Sequence, residues 1–182
     1  DPHLDTTVHE ADGTRAEAGA VVLTVSGPLA SILTAERTAL NVLQRLCGIA
    51  TLTRRFVDAL EGTGTRVVDT RKTTPGWRRL EKAAVRHGGG TNHRMGLWDM
   101  VLVKENHIAA AGGLEAAMAA VARHNDEGLP VEVEVRDLDE FRRALPLGAD
   151  RILLDNMSLD DMARCVELAR QAGPSGPLLE AS

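Results

Sequence analysis

The apolar positions of this chain change their spacing twice along its 182 residues. Residues 20–26 alternate apolar and polar side chains, the period of a strand with one wet face, and Gly27-Pro28 ends the run. Over residues 29–60 the apolar side chains Ile32, Leu33, Leu40, Val42, Leu43, Leu46, Ile49, Leu52, Phe56 and Leu60 recur near helical spacing, with Gly48 expected to interrupt them. After Gly62 short apolar runs alternate with amphipathic segments. The runs lie at 66–70, 100–104, 131–135, 151–155 and 178–180. Between them the pattern predicts helices at 77–87, 114–124, 138–145 and 159–171, the last with Ser158 as its N-cap. Asn106 and His107 read as the start of a further short helix. Strands separated by helices imply a parallel sheet with right-handed crossovers. Residues 1–19 are polar and aperiodic, and both ends of the chain read as cut from something longer.

The ends of the runs carry charge: Thr70-Arg71-Lys72, then Lys104, Glu134, Asp155 and Glu180. In a parallel barrel such ends converge on one mouth, where charged groups can meet a ligand. An open doubly wound sheet would instead want a glycine-rich phosphate turn after its first strand. Here that place holds Arg71-Lys72-Thr73-Thr74-Pro75-Gly76, which matches neither that turn nor a P-loop. The expected fold is therefore α/β: an incomplete TIM-like barrel over residues 63–182, its C-terminal strands missing from this chain, after a partial N-terminal domain and long helical connection over 1–62.

Composition narrows the function. Aromatic residues are 2% of the chain, so the core must be aliphatic, and their scarcity argues against a base-stacking platform. A net charge of −5 offers no global field to recruit nucleic acid or a membrane surface. Cys47 and Cys165 stand far apart, which argues for buried small hydrophobes in a reducing compartment rather than a zinc site. No apolar run nears 18 residues and no signal peptide opens the chain, so a cytoplasmic protein is expected. Of the 21 basic residues only Lys72, Lys82 and Lys104 are lysine. Against an arginine background, a retained lysine suggests a task for a compact ammonium rather than a rigid fork.

Arg71, Lys72, His93, Arg94 and Lys104 would gather positive charge at the mouth, facing Glu134 and Asp155. That mixture suits a substrate with several negative charges and a centre that turns positive in the transition state. Ordinary salt bridges would also account for it. So would a Schiff-base enzyme using Lys104 or Lys72, or a non-catalytic binder of polyanions. Gly88-Gly89-Gly90 either ends a helix or frees backbone for an anion.

Six blocks then stand in order: Leu33-Thr34-Ala35-Glu36-Arg37-Thr38-Ala39-Leu40-Asn41, Asp69-Thr70-Arg71-Lys72-Thr73-Thr74-Pro75-Gly76, Gly88-Gly89-Gly90-Thr91-Asn92-His93-Arg94, Val103-Lys104-Glu105-Asn106-His107-Ile108, Glu132-Val133-Glu134-Val135 and Leu153-Leu154-Asp155-Asn156. Together they resemble the quinolinate phosphoribosyltransferase family, also called nicotinate-nucleotide pyrophosphorylase (carboxylating). The resemblance implies an N-terminal α/β sandwich joined to an incomplete α/β barrel. It implies a pentosyltransferase of NAD biosynthesis that turns quinolinate and phosphoribosyl pyrophosphate into nicotinate mononucleotide, pyrophosphate and carbon dioxide with Mg²⁺. By the same resemblance Arg71, His93 and Arg94 would grip the quinolinate carboxylates. Lys72 and Lys104 would meet carboxylate or phosphate, with Thr70 beside them. Glu134 and Asp155 would hold ribose hydroxyls or Mg²⁺ and, with Lys104, form the catalytic set. Arg37 would reach into the partner's site in a homodimer that can assemble further, and Ser182 would begin a phosphate-binding turn. Lys82, in mid-helix beside Glu81, would be structural or support the site from behind. Ala83 and His87 depart from the family's usual residues without touching a motif contact.

Overall fold

The computed structural model describes residues 1–173 and 176–182. It divides into two units, Asp1–Met95 and Gly96–Ser182.

In the first unit β1 (Asp5–Val8) pairs antiparallel with β2 (Leu23–Ser26), Asp5 opposite Ser26 and Val8 opposite Leu23. The alternation at 20–26 thus yields a strand only in its second half. β1 lies in the stretch that has no hydrophobic period. Its sequence Asp-Thr-Thr-Val has β-branched residues but no apolar face, and all four are exposed. α1 (Leu29–Ala59) runs 31 residues and passes through Gly48 without a break. A single helical glycine costs about 1 kcal/mol, too little to stop a helix with apolar positions on both sides. α2 (Arg78–His87) packs on α1.

Gly88, Gly89 and Gly90 follow α2, and each is explained without an anion. A Cβ on Gly88 would sit 2.4 Å from the Ala50 carbonyl oxygen, and one on Gly90 would sit 2.8 Å from Thr53 Cγ2. Gly89 has φ +88°, a conformation that disfavours side chains. The triplet is the close approach of the end of α2 to α1. The run at 66–70 does not form a full strand. It is reduced to one parallel bridge, Val68 to Thr91, flanked by Thr91 N–H to Val67 O at 2.8 Å.

The second unit holds a four-stranded parallel sheet in the order β3-β4-β5-β6, with β3 at Val101–Val103, β4 at Val131–Val135, β5 at Arg151–Leu154 and β6 at Leu178–Ala181. Between them stand α3 (Glu105–Ala111), α4 (Leu114–His124), α5 (Leu138–Ala144, continued by a 3-10 turn at Leu145–Leu147) and α6 (Leu159–Gln171). Four of the five expected strands therefore belong to this sheet. Ser158 caps α6 as expected, its hydroxyl accepting from the Asp161 N–H at 3.1 Å.

Alternation sorts the sheet into two faces. Val131, Val133, Val135, Ile152 and Leu154 pack with Leu114, Met118, Phe141 and Cys165 into the core. Each such side chain, fully buried, contributes about 1.5–3 kcal/mol. Glu132, Glu134 and Leu153 take the intervening positions and lie on the other face. Cys165 is buried, which raises its thiol pKa. Cys47 is exposed on α1, against the expectation that both cysteines would be buried. Among the described residues no helix is long and apolar enough to cross a membrane.

Candidate active site

The face of the sheet away from the core carries the candidate groups of the second unit. Lys104, Asp155 and Ser182 each follow a strand, Glu134 is the last residue but one of β4, and each keeps the alternation of the Glu132 and Leu153 face. The strands are registered so that Glu134 lies opposite Leu153, and Leu153 opposite Glu180. Neighbouring strands stand about 4.8 Å apart, so groups on adjacent ends can touch. They do. Lys104 Nζ donates to Glu134 Oε2 at 2.7 Å, and Ser182 Oγ donates to Asp155 Oδ1 at 3.1 Å. The lysine side chain is 47% exposed and the glutamate 12%, so the pair reaches solvent through the ammonium.

Local structure fixes these ends. The Lys104 N–H donates to His107 Nδ1 at 3.0 Å, and the His107 N–H returns to the Lys104 carbonyl at 2.9 Å. This reciprocal pair starts α3 and sets the backbone from which Lys104 projects. His107 is therefore a capping group. Asn156 has φ +52°, which Asn tolerates better than most residues, and its side chain donates to Asp155 Oδ1 at 3.1 Å. The chain thereby leaves β5 sharply with the Asp155 carboxylate held at the strand end. Beside Glu134 lies a depression lined by Glu105, Ile108, Arg136 and Glu140. Arg136 is tied to Glu105 at 3.1 Å and Glu140 at 2.8 Å, and its hydrogen bonds hold the Glu140 carboxyl below the usual range.

The first unit carries Arg37, Thr70, Arg71, Lys72, His93 and Arg94. Arg37 is exposed on α1. Thr70 Oγ1 accepts from the Lys72 N–H at 3.0 Å, which curls the loop so that Lys72 is exposed while Arg71 turns inward. Arg71 Nε is buried with no hydrogen-bond acceptor among the described residues. A buried donor left unsatisfied is costly, so this one is well placed for a ligand oxygen. His93 Nδ1 accepts from the Arg94 N–H at 2.8 Å, so in the neutral ring the proton sits on Nε2.

Beneath these loops Asp69, Arg78 and Glu81 drew no role from the sequence, whereas Lys82 was expected to be structural or to support the site from behind. Asp69 accepts from the His93 N–H at 2.9 Å and from Asn92 Nδ2 at 2.5 Å. Arg78 donates to Thr73 Oγ1 at 3.2 Å and to the Met95 carbonyl at 3.1 Å. Glu81 accepts from the Thr74 N–H at 3.1 Å and from Arg45 Nη2 at 2.6 Å. Arg78, Glu81 and Lys82 share one helical face, but periodicity marks apolar faces as buried, and this buried face is charged.

A family model described as quinolinate phosphoribosyl transferase, C-terminal domain, matches residues 49–182, and its N-terminal domain counterpart matches residues 2–47. The chain belongs to the quinolinate phosphoribosyltransferase family. Among curated relatives, a Synechocystis protein named probable nicotinate-nucleotide pyrophosphorylase [carboxylating] is 48% identical over 174 residues, covering 96% of this chain and 59% of the relative. The Mycobacterium leprae nicotinate-nucleotide pyrophosphorylase [carboxylating] is 49% identical over 145 residues, covering 80% of this chain and 51% of its own length. Among solved structures, the nicotinate-nucleotide pyrophosphorylase from Francisella tularensis superposes with a TM-score of 0.93 at 43% identity, covering all of this chain and 63% of that one. The mixed α/β architecture, with its parallel four-stranded sheet and small antiparallel pair, is thus that of solved quinolinate phosphoribosyltransferase relatives. The chain spans between half and three-fifths of the length of these two curated relatives.

Proposed function

We propose that the protein containing this chain transfers a phosphoribosyl group from phosphoribosyl pyrophosphate to quinolinate, releasing pyrophosphate and carbon dioxide and leaving nicotinate mononucleotide. The observation that carries this reading is the row of Lys104, Glu134, Asp155 and Ser182 on adjacent strand ends in a chain of this family. The sheet is proposed to be part of an incomplete barrel over residues 63–182, joined to an N-terminal sandwich domain over 1–62.

As pyrophosphate leaves, positive charge develops on the ribose. Glu134 and Asp155 present carboxylates preorganised by their partners, and such fixed charge stabilises a developing cation without reorganisation. The Lys104 ammonium, held by Glu134, is half exposed and available to an anionic substrate group. Arg71 Nε is a donor suited to a quinolinate carboxylate, with His93 and Arg94 proposed to share that grip and Lys72 to meet phosphate or carboxylate. Thr70 shapes the loop that presents Lys72.

Glu134 and Asp155 are hard oxygen donors, and Mg²⁺ is commonly held by one or two carboxylates plus substrate phosphates. The residues fit that ion, directly or through water or ribose hydroxyls. Bound there, Mg²⁺ would neutralise charge on the pyrophosphate. Arg37 is proposed to act in the site of a second copy, in a homodimer of a cytoplasmic enzyme, and Ser182 to begin a turn that receives phosphate.

The test uses the full-length protein. Quinolinate and phosphoribosyl pyrophosphate with Mg²⁺ are expected to give a quinolinate-dependent absorbance change and pyrophosphate. Lys104→Ala is expected to abolish turnover while its circular dichroism and melting temperature stay near wild type. Near-normal turnover by that variant would sink the assignment.

A further inference from the structure

Lys82 is 1% exposed, in the middle of α2, and its ammonium is buried among polar groups of two loops. It donates to Asp69 Oδ1 and, at 3.1 Å, to the carbonyl oxygen of His93. The partner carboxylate is itself buried, with its side chain 8% exposed. Asp69 spends its oxygens on one segment: Oδ1 on the His93 N–H at 2.9 Å, and Oδ2 on Asn92 Nδ2. Asn92 closes the circle by donating to the Lys82 carbonyl at 2.8 Å. The peptide of His93 is thus held at its N–H by Asp69 and at its carbonyl by Lys82.

The same helical face reaches the second loop. Arg78, one turn earlier, donates to the Arg71 carbonyl at 3.4 Å and the Thr73 hydroxyl at 3.2 Å, and also to the Met95 carbonyl at 3.1 Å. Glu81 takes the Thr74 N–H at 3.1 Å. Arg45 of α1 braces Glu81 from the far side, with two donors at 2.6 and 2.9 Å, and passes 5.9 Å from the centre of the Trp77 ring. Three charged residues on one face of one short helix therefore fasten the loop of Arg71 and Lys72 and the loop of His93 and Arg94 to a single rigid body.

A charged lysine is an expensive way to fill a core position, since removing an ammonium from water must be offset by well-placed acceptors. Two apolar side chains would pack the same space. What they could not do is hold a carbonyl and a carboxylate at fixed positions. Lys82 cannot touch a ligand itself, because its ammonium is enclosed.

We infer that Lys82, acting with Asp69, is a positioning residue: it fixes the peptide of His93 so that His93 and Arg94 stand in register with Arg71 for a dianionic substrate. This rests on the proposed role of those three residues in gripping quinolinate. Misplacing a substrate-orienting group by about 1 Å can cost on the order of 10²-fold in rate. That figure sets the effect to look for.

The experiment uses the full-length protein and compares wild type with Lys82→Met, His93→Ala and the double variant, below the melting temperature of each. Lys82→Met is expected to lower kcat/KM for quinolinate by about 10²-fold while the KM for phosphoribosyl pyrophosphate moves much less. In the His93→Ala background the same substitution is expected to cost far less, because the group it positions is gone. Full additivity of the two losses, or an equal loss for both substrates, overturns the inference. Hydrogen exchange supplies a readout that does not depend on the reaction. The amides of His93 and Arg94 are expected to exchange at least about tenfold faster in Lys82→Met while α1 is unchanged; a uniform rise across the unit would mark Lys82 as merely stabilising and also overturn the inference. Should Lys82→Met fail to fold, Asp69→Asn serves in the same measurements, since it keeps one oxygen acceptor for Lys82 and the His93 N–H, removes the charge and sets an amide donor against Asn92 Nδ2. Loss of wild-type transfer would refute the proposed reaction, and the exchange result would still decide the positioning role.

Discussion

At the scale of single residues, burial decides what each charge does. Lys82 is enclosed with Asp69, and Lys104 is half exposed beside Glu134, so two residues of one type serve different ends. A buried ion pair is dear to break: removing one partner typically costs about 3–5 kcal/mol, against about 0–1 kcal/mol for an exposed pair. The exposed pairs still set acid behaviour. Arg143 donates to both oxygens of Glu115, at 2.8 and 2.7 Å, and its hydrogen bonds lower the Glu115 carboxyl from 4.5 to about 2. A depressed carboxyl contributes stability that is complete above its unfolded value and lost as pH falls through its folded value. The stability difference between wild type and Glu115→Gln is therefore expected to be constant above about pH 5.5 and to shrink between pH 4.5 and about 2. Thermal melts of both proteins across that range check this. A difference that stays flat to pH 2 would mean that the pair does not form in solution.

At the scale of elements, two glycines illustrate opposite constraints. Gly48 sits inside α1 with nothing within 4 Å of a Cβ placed on it. Gly48→Ala is expected to stabilise the protein by about 0.5–1 kcal/mol through helix propensity alone. A Cβ on Gly88 would stand 2.4 Å from the Ala50 carbonyl oxygen and 2.7 Å from Thr53 Cβ, where backbone cannot yield. Gly88→Ala is expected to cost about 1–3 kcal/mol by forcing α2 from α1. Chemical denaturation of the two variants beside wild type gives both signs in one experiment, and a Gly88→Ala protein as stable as wild type would refute the close approach. Neither sign could be read along the chain. Gly48 looked like a break because periodicity weighs glycine by type, and the triplet after α2 looked equally like an anion loop. The helices themselves were legible: α4 and α6 have the bounds that apolar spacing predicts, and Ser158 caps where it should. β1 was not, because a strand with both faces exposed has no hydrophobic alternation to display.

At the scale of the whole molecule, the proposed homodimer makes a sharp expectation. With Arg37 serving a partner's site, Arg37→Ala and Lys104→Ala place their lesions on different surfaces. Each full-length homodimer is expected to be inactive. Mixed and allowed to exchange subunits, they are expected to recover about a quarter of wild-type activity, since half the dimers are mixed and each mixed dimer holds one intact site. No recovery, in a mixture shown by mass spectrometry to have exchanged, would place Arg37 within its own subunit's site, and an active Arg37→Ala homodimer would place it outside any site.

Periodicity and strand-end charge were enough to place Lys104, Glu134 and Asp155 on adjacent ends of a parallel sheet. Strand alternation is a local rule, so counting residues fixes which face each side chain takes. That count stops at the sheet. The lock between Lys82, Asp69 and the His93 peptide joins residues from three separate segments, and the Val68 to Thr91 bridge replaces a strand that two apolar residues were too few to build. Such contacts depend on which loops fold over which helix. Only the tertiary structure decided that a charged face of α2, polar by every local measure, would be buried and hold the two loops of the candidate site.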